Sequence, residues 1–272
     1  MAGKLTVLIP CKNECANIVK CIRSAKLVAD EVLVADSLST DDTLDLVRAE
    51  GGCRIIERKH VNFSDFKNWA IPQARCEWVL VLDADERITP ELAQEIKTLL
   101  ASSPKCDSYD IRRTTFFLGQ RIRFSGYQND AVRRLFRRDE CHYENGRSVH
   151  EFLVTPSNKV GRLSGKLDHY TTNNLEHFCA KQNDYSTKMA ADRRRKGKRP
   201  SYLRVLLYGP IRFAQLYLLR LGFLDGFAGL VVCGVGAYYA FLKDAKLWAI
   251  SLENEQAKTL EAPSIEVKRE AA

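Results

Sequence analysis

Residues 79–86 read Val79-Leu80-Val81-Leu82-Asp83-Ala84-Asp85-Glu86. A short, wholly apolar run of this kind reads as a strand covered on both faces, as in parallel sheets flanked by helices. Three carboxylates follow at once, so the strand delivers acidic side chains to its carboxyl edge. Open α/β sheets bind ligands at that edge, because the loops diverge there and leave a crevice. Working outward, residues 5–10, 31–35, 54–57 and 78–82 are predicted strands, separated by helical patterns. Residues 16–28 set Ile18, Cys21, Ile22 and Ala25 on one helical face. Ser39 or Thr40 is expected to cap a helix over 41–50, which Gly51-Gly52 stops. Thr89 caps the next helix and Pro90 opens it, the helix running to about Ala101. The alternation predicts βαβ units and a mostly parallel sheet.

Past residue 108 the texture changes to short strands broken by Gly, Asn and Pro, as far as Tyr170. Residues 174–196 predict a helix ending in the basic run RRRKGKR (193–199). Residues 202–227 are rich in Leu, Tyr and Phe, with Arg204, Arg212, Arg220 and Asp225 interspersed, and 226–242 carry no charge. The organisation expected is an α/β domain over 1–172, a helical region over 173–252 and a disordered tail over 253–272.

With 45% hydrophobic and 28% charged residues, the 272-residue chain can bury a core, which excludes wholesale disorder. The net charge is +8, yet without the 193–199 run the basic and acidic residues nearly balance. The basicity is a local patch, which argues against a nucleic-acid-binding protein. Nine cysteines without a Cys-x-x-Cys pair suit reduced, mostly buried thiols in a cytosolic protein.

Asp83 and Asp85 are expected on the same side of an extended chain, where two carboxylates can hold Mg²⁺ or Mn²⁺ and leave room for a diphosphate. A solvated strand end ahead of the Thr89 helix is the alternative reading. A second strand end presents Asp36, and a third presents the segment from Pro10 to Glu14; together the three could line one nucleotide cleft. Asp41 and Asp42 read better as helix-capping residues. Gly234-Val235-Gly236 lies in an apolar run and lacks the third glycine of a dinucleotide cradle.

The segments IPCKNE (9–14), VADSLSTDDT (34–43), FSDFKNWA (63–70) and VLDADE (81–86) together resemble the nucleotide-binding half of inverting family-2 glycosyltransferases of the GT-A fold. More narrowly, DADER (83–87), GYQNDAVRRLFRR (126–138), VHE (149–151) and DHY (168–170) resemble lipopolysaccharide core β-1,4-glucosyltransferases. The resemblance runs from about residue 4 to about 250. It implies an α/β GT-A fold with a nucleotide half at 1–105 and an acceptor half at 106–172. By the same resemblance Pro10 and Glu14 would sit beside the nucleoside, Asp36 on the uracil and Lys67 near the base or diphosphate. Asp83 would contact the ribose and join Asp85 at the metal, with His169 completing its shell. A UDP-sugar donor and a divalent cation are thereby implied. On its residues alone, Lys67 reads as a surface lysine and His169 as a structural histidine.

The reaction implied needs a base for the acceptor hydroxyl, and a carboxylate suffices. Glu151 and Asp130 are the candidates, and the resemblance favours Glu151. Of the eight arginines between Ser108 and Arg138, most are expected to be solvated. The expected activity is transfer of a hexose, glucose from UDP-glucose, onto a lipopolysaccharide inner-core heptose. A polyprenyl phosphate or other membrane-linked glycan is the alternative acceptor, and a nucleotidyltransferase the alternative enzyme. The aromatic and leucine-rich segment with its arginines predicts peripheral attachment to an anionic membrane surface, at the cytoplasmic face of the inner membrane. The uncharged stretch falls just short of a bilayer span, which is the runner-up.

Overall fold

A computed structural model of the chain describes residues 3–59, 62–144, 152–156, 159–172 and 174–261. The first four strands fall almost where the sequence puts them: β1 (Leu5–Cys11), β2 (Glu31–Asp36), β3 (Cys53–Glu57) and β4 (Trp78–Val81). They form the parallel half of the sheet in the order β3-β2-β1-β4. The sheet continues through β8 (Ala131–Arg137), β6 (Ser108–Phe117), β11 (Val160–Thr172) and β5 (Glu86–Ile88), with β7 (Gln120–Ile122) paired to β6. β8 is antiparallel to both neighbours and β5 is antiparallel to β11. A separate two-strand ribbon pairs β9 (His142–Tyr143) with β10 (Leu153–Val154).

The alternation of side chains along β1 builds two core layers at once. Leu5, Val7 and Ile9 pack with Ile18, Cys21 and Ile22 of α1 (Ile18–Ala25) and with Leu92 and Ile96 of α4 (Pro90–Ala101). Leu8 points the other way, into a layer with Leu33, Val79, Val81 and Phe66 of α3 (Phe63–Ala70). These aliphatic side chains are almost wholly buried, each contributing about 1.5–3 kcal/mol. Such a core fixes the strand ends that carry the polar loops.

Two local expectations need correction. α2 (Thr43–Glu50) begins two residues later than predicted, because Ser39 and Thr40 hydrogen-bond to neighbouring loops and not to the helix. Asp41 takes over the start, its Oδ1 accepting from the Thr43 amide at 3.1 Å. The chain around Asp83 is not extended either. The Glu86 amide donates to the Asp83 carbonyl at 2.8 Å, so residues 83–86 form a turn between β4 and β5.

Beyond the sheet, α5 (Leu175–Arg195) starts at Asn174, whose side chain accepts from the Glu176 and His177 amides. α6 (Tyr202–Ala214) and α7 (Gly226–Glu261) then form an antiparallel hairpin. Its turn is a π-helical segment, Gln215–Leu219, followed by a 3₁₀ segment, Gly222–Asp225. A Cβ on Gly229 would lie 2.0 Å from the Gly222 carbonyl oxygen, so the glycine is what lets the turn close on α7. Asp225 ties the turn to the sheet domain: its carboxylate accepts from the Arg123 and Phe124 amides and the Ser125 hydroxyl at 2.8–2.9 Å. The tail expected from Glu253 is helical backbone as far as Glu261. The stretch Gly222–Glu253 is long and apolar enough, by length and composition, to cross a membrane. All nine cysteines are free thiols and only Cys15 is exposed. Burial pushes the Cys141 thiol up to about 11.

Candidate functional site

The parallel half carries its polar loops to one edge, and a cleft of about 1020 Å³ opens there. Pro10, Glu14, Lys67, Asp83 and Asp85 all line it. The parallel register explains why: β1 pairs with β2 on one side, Cys11 level with Asp36, and with β4 on the other, Leu8 level with Val81, so all three strands end at one edge. Two of the loops are stitched together. The Asn13 amide donates to Ser39 Oγ, Thr40 to Asn13 Oδ1, Glu14 to Thr43 Oγ1 and Cys15 to Asp41 Oδ2, at 2.8–3.2 Å. Backbone donors of the first loop are thus satisfied by side chains of the second, which fixes the wall on which Pro10 and Glu14 stand.

Asp36 supports this wall from behind. It is fully buried and absent from the cleft lining, and its carboxylate accepts from the Ser39 amide at 2.8 Å and the Ser39 hydroxyl at 2.5 Å. Asp36 therefore shapes the loop beside the cleft, one residue away from the lining Ser37.

The turn after β4 separates its three carboxylates by environment. Asp83 faces Lys67, whose Nζ is 3.6 Å from Oδ1, and pairs with Arg134. Burial alone would raise the Asp83 carboxyl, but the Arg134 guanidinium and Lys67 ammonium outweigh it and hold the group well below the usual carboxylate range. Glu86, wholly buried, pairs with Arg134 at 3.5 Å and Arg113 at 3.1 Å, and Arg113 continues to Asp130. Lys67, Asp83, Arg134, Glu86, Arg113 and Asp130 make a chain of alternating charge that satisfies each buried ion by its neighbours. Asp130 ends that chain. Its two oxygens accept from Arg113 Nε and Nη2 at 2.9 and 2.8 Å, and it does not line the cleft. Asp130, expected as the alternative base, thus has both carboxylate oxygens engaged by Arg113.

Asp85 has a different partner. β11 pairs with β5 so that His169 sits opposite Glu86, and the Tyr170 amide donates to the Asp85 carbonyl at 2.9 Å. This brings His169 Nε2 to 3.6 Å from Asp85 Oδ2. Burial raises the Asp85 carboxyl, but the imidazole more than compensates and the net shift is downward. The His169 Nδ1 is buried with no hydrogen-bond partner among the described residues. Among those residues no group of three or more His, Cys, Asp or Glu side chains is arranged to enclose a metal. Asp85 lines the cleft and His169 stands beside it outside the lining, and a carboxylate oxygen with an imidazole nitrogen next to it fits a divalent cation that takes its remaining ligands from substrate and water. Asp83, held by two cations, is the weaker candidate for that role.

Glu14 completes the acidic side. Burial pushes its carboxyl up, the Asn17 amide pulls it back in part, and nearby Asp85 adds to the rise. Glu151, the favoured base, lies outside the described residues.

Two arginines escaped the sequence reading. Arg87 Nη1 donates to the Ala84 and Glu86 carbonyls at 2.7 Å and Nη2 to the Asn17 carbonyl at 3.0 Å, pinning the acidic turn to the first loop. Arg134 is buried in the ion chain. Arg112, Arg121 and Arg123 are exposed as expected, but the other five of the eight are ion-paired. Arg138 pairs with its neighbour Asp139, but the other four find their acidic partners 17 or more residues away, which is why spacing along the chain gave no sign of them.

The family model described as glycosyl transferase family 2 matches residues 6–151. The lipopolysaccharide core biosynthesis glycosyltransferase LpsC of Rhizobium meliloti is 32% identical over 253 residues, covering 90% of this chain and 92% of its own. An uncharacterized glycosyltransferase of Rickettsia bellii is 30% identical over 263 residues, covering 93% and 89%. Among solved structures, glucosyl-3-phosphoglycerate synthase from Mycobacterium tuberculosis, in complex with Mn²⁺, uridine diphosphate and glucosyl-3-phosphoglycerate, is 23% identical with a TM-score of 0.35 over 42% of this chain and 44% of that one. Staphylococcus aureus TarS is 17% identical with a TM-score of 0.45, over 68% and 39%. This chain spans less than half the length of either solved chain. With the family matched across more than half of the chain, and relatives at 30% identity or more across nine-tenths of it, the chain belongs to glycosyl transferase family 2 and is a glycosyltransferase.

Proposed function

We propose that the chain moves glucose from UDP-glucose onto an inner-core heptose of lipopolysaccharide, with inversion at the anomeric carbon. The observation that carries this reading is the meeting of Glu14, Lys67, Asp83 and Asp85 in one cleft at the carboxyl edge of the sheet. The likeness to LpsC along almost the whole chain supports the class of acceptor.

Pro10 and Glu14 would flank the nucleoside, with the Asp36-anchored loop closing the base end. Lys67 and Asp83 sit together in the lining, 3.6 Å apart, and would meet the ribose and first phosphate. Asp85 and His169 would hold a divalent cation, which when bound neutralises charge on the departing diphosphate. The acceptor oxygen attacks the anomeric carbon as the bond to the diphosphate oxygen breaks on the opposite side. Glu151 receives the acceptor's proton; its position in the sequence and the clamped state of Asp130 support the choice. Glu151→Gln is expected to lower turnover by ~10²–10⁴ with donor binding kept, the usual range for a lost general base. The reaction itself is tested with a heptose-terminated core acceptor: NMR of the product should show a new β-linked glucose. An α-linked product, or transfer only to polyprenyl phosphate, contradicts the proposal.

The helical hairpin would seat the enzyme on an anionic bilayer surface. Its turn exposes Leu218, Leu219, Leu221, Phe223, Leu224 and Phe227, with Leu219 and Phe227 each 79% exposed. Monomeric soluble proteins rarely present so continuous an apolar patch. Arg194, Arg195, Lys196, Lys198 and Arg199, which precede the hairpin in the chain, are all exposed and suit anionic headgroups. Such attachment would bring the cleft to a lipid-anchored acceptor.

A further inference from the structure

The cleft has a wall that the family match does not reach. α5 begins at Leu175, beyond residue 151, yet His177, Lys181, Asp184, Tyr185 and Lys188 line the same space as Asp83 and Asp85. Their spacing of three, four and seven places them along one helical face. The opposite face is fixed to the hairpin. Phe178 packs with Ala228 and Val232, and Lys246 Nζ reaches the Asn183 carbonyl, Ser186 Oγ and Thr187 Oγ1 at 2.7–2.8 Å. The wall is therefore a firmly supported surface.

The charges on that face are not equivalent. Lys188 is paired with Asp184 at 2.7 Å. Lys181 is half-buried, lines the cleft, and has no hydrogen-bond or ion-pair partner among the described residues. Glu14 and Asp85 line the same cleft, and the Lys181 charge is one of the influences that pull both carboxyls downward. A partly desolvated ammonium without a counterion is poised for an anion, and a phosphate offers several oxygens to its three donors. Lys67 and Arg134 already have Asp83 to neutralise. The acidic side of the cleft would otherwise repel a diphosphate.

We propose that Lys181 of α5 binds the β-phosphate of the donor nucleotide, so that the C-terminal helical region supplies part of the donor site and holds the diphosphate as it leaves. This rests on the reading of the cleft as a UDP-sugar site. The phosphate could instead belong to a phosphorylated acceptor, and the measurement separates the two because it contains no acceptor.

Calorimetric titration of the full chain with UDP and with UMP, each with and without Mn²⁺, tests it on wild type, Lys181→Met and Lys181→Arg. UDP affinity is expected to fall about 10-fold or more in Lys181→Met, the effect of one charge-assisted bond, and to recover largely in Lys181→Arg. UMP, which lacks the β-phosphate, should bind all three proteins alike. Unchanged UDP affinity in Lys181→Met overturns the assignment and leaves the donor reading standing. Equal losses for UDP and UMP overturn it too, since they report a general disturbance of the cleft. Failure of wild type to bind UDP at all overturns the donor reading along with it.

Discussion

At the scale of single residues, environment decides which carboxylates remain for chemistry. Asp130 is spent on Arg113, and through it supports the buried Glu86. Asp130→Asn should therefore cost stability, about 1–3 kcal/mol for a weakened charge pair, while turnover stays within a few-fold of wild type. Thermal melting and steady-state rates check this together; lost turnover at an unchanged melting point would restore Asp130 as a base. Asp41 makes a pH prediction. Burial opposes its ionisation, yet the Thr43 hydroxyl at 2.5 Å, the Cys15 thiol and the Thr43 and Cys15 amides more than compensate, bringing the carboxyl to about 2. The unfolded value is about 3.9, so the charged form is favoured in the folded state. Its stabilising contribution is then complete above about pH 5 and lost as the pH falls through about 2. The stability gap between wild type and Asp41→Asn should close between pH 5 and 2. A gap that stays constant over that window would show that the loop stitching does not depend on this charge.

At the scale of elements, the helical hairpin is the least conventional part of the molecule. Its inner side is close-packed through Gly222 and Gly229, while its turn is apolar outward. The sequence showed the leucine and aromatic content of 202–227 but not the break at Leu221, where φ is +55° and the chain reverses. A continuous amphipathic helix and a reversed hairpin share nearly the same composition, so only tertiary packing separates them. Wild type is expected to float with anionic phospholipid vesicles and to be released from membranes by carbonate. The double variant Leu219→Asp, Phe227→Asp should lose flotation with UDP binding intact. Retention after carbonate treatment would favour Gly222–Glu253 as a span.

At the scale of the whole molecule, legibility in the sequence followed the distance between interacting residues. The β1–β4 core and α4 with its Thr89 cap were readable, because periodicity, caps and turn residues are local signals. So was the gathering of Pro10, Glu14, Asp83 and Asp85, since parallel strands must deliver their loops to one edge. The ion chain from Lys67 to Asp130 joins α3, β5, β6 and β8 and left no mark in spacing. Nor did the contribution of α5 to the cleft. The central claim is that this cleft handles a nucleotide sugar with the help of a cation at Asp85. The direct measurement is diphosphate release by the full chain from a panel of nucleotide sugars with a heptose-terminated acceptor, with Mn²⁺ or Mg²⁺ and after chelation. UDP-glucose should give acceptor-dependent release that chelation abolishes and that Asp85→Asn reduces at least ~100-fold without unfolding the protein. Release that persists undiminished after chelation and in Asp85→Asn, or no release from any sugar nucleotide, would contradict it.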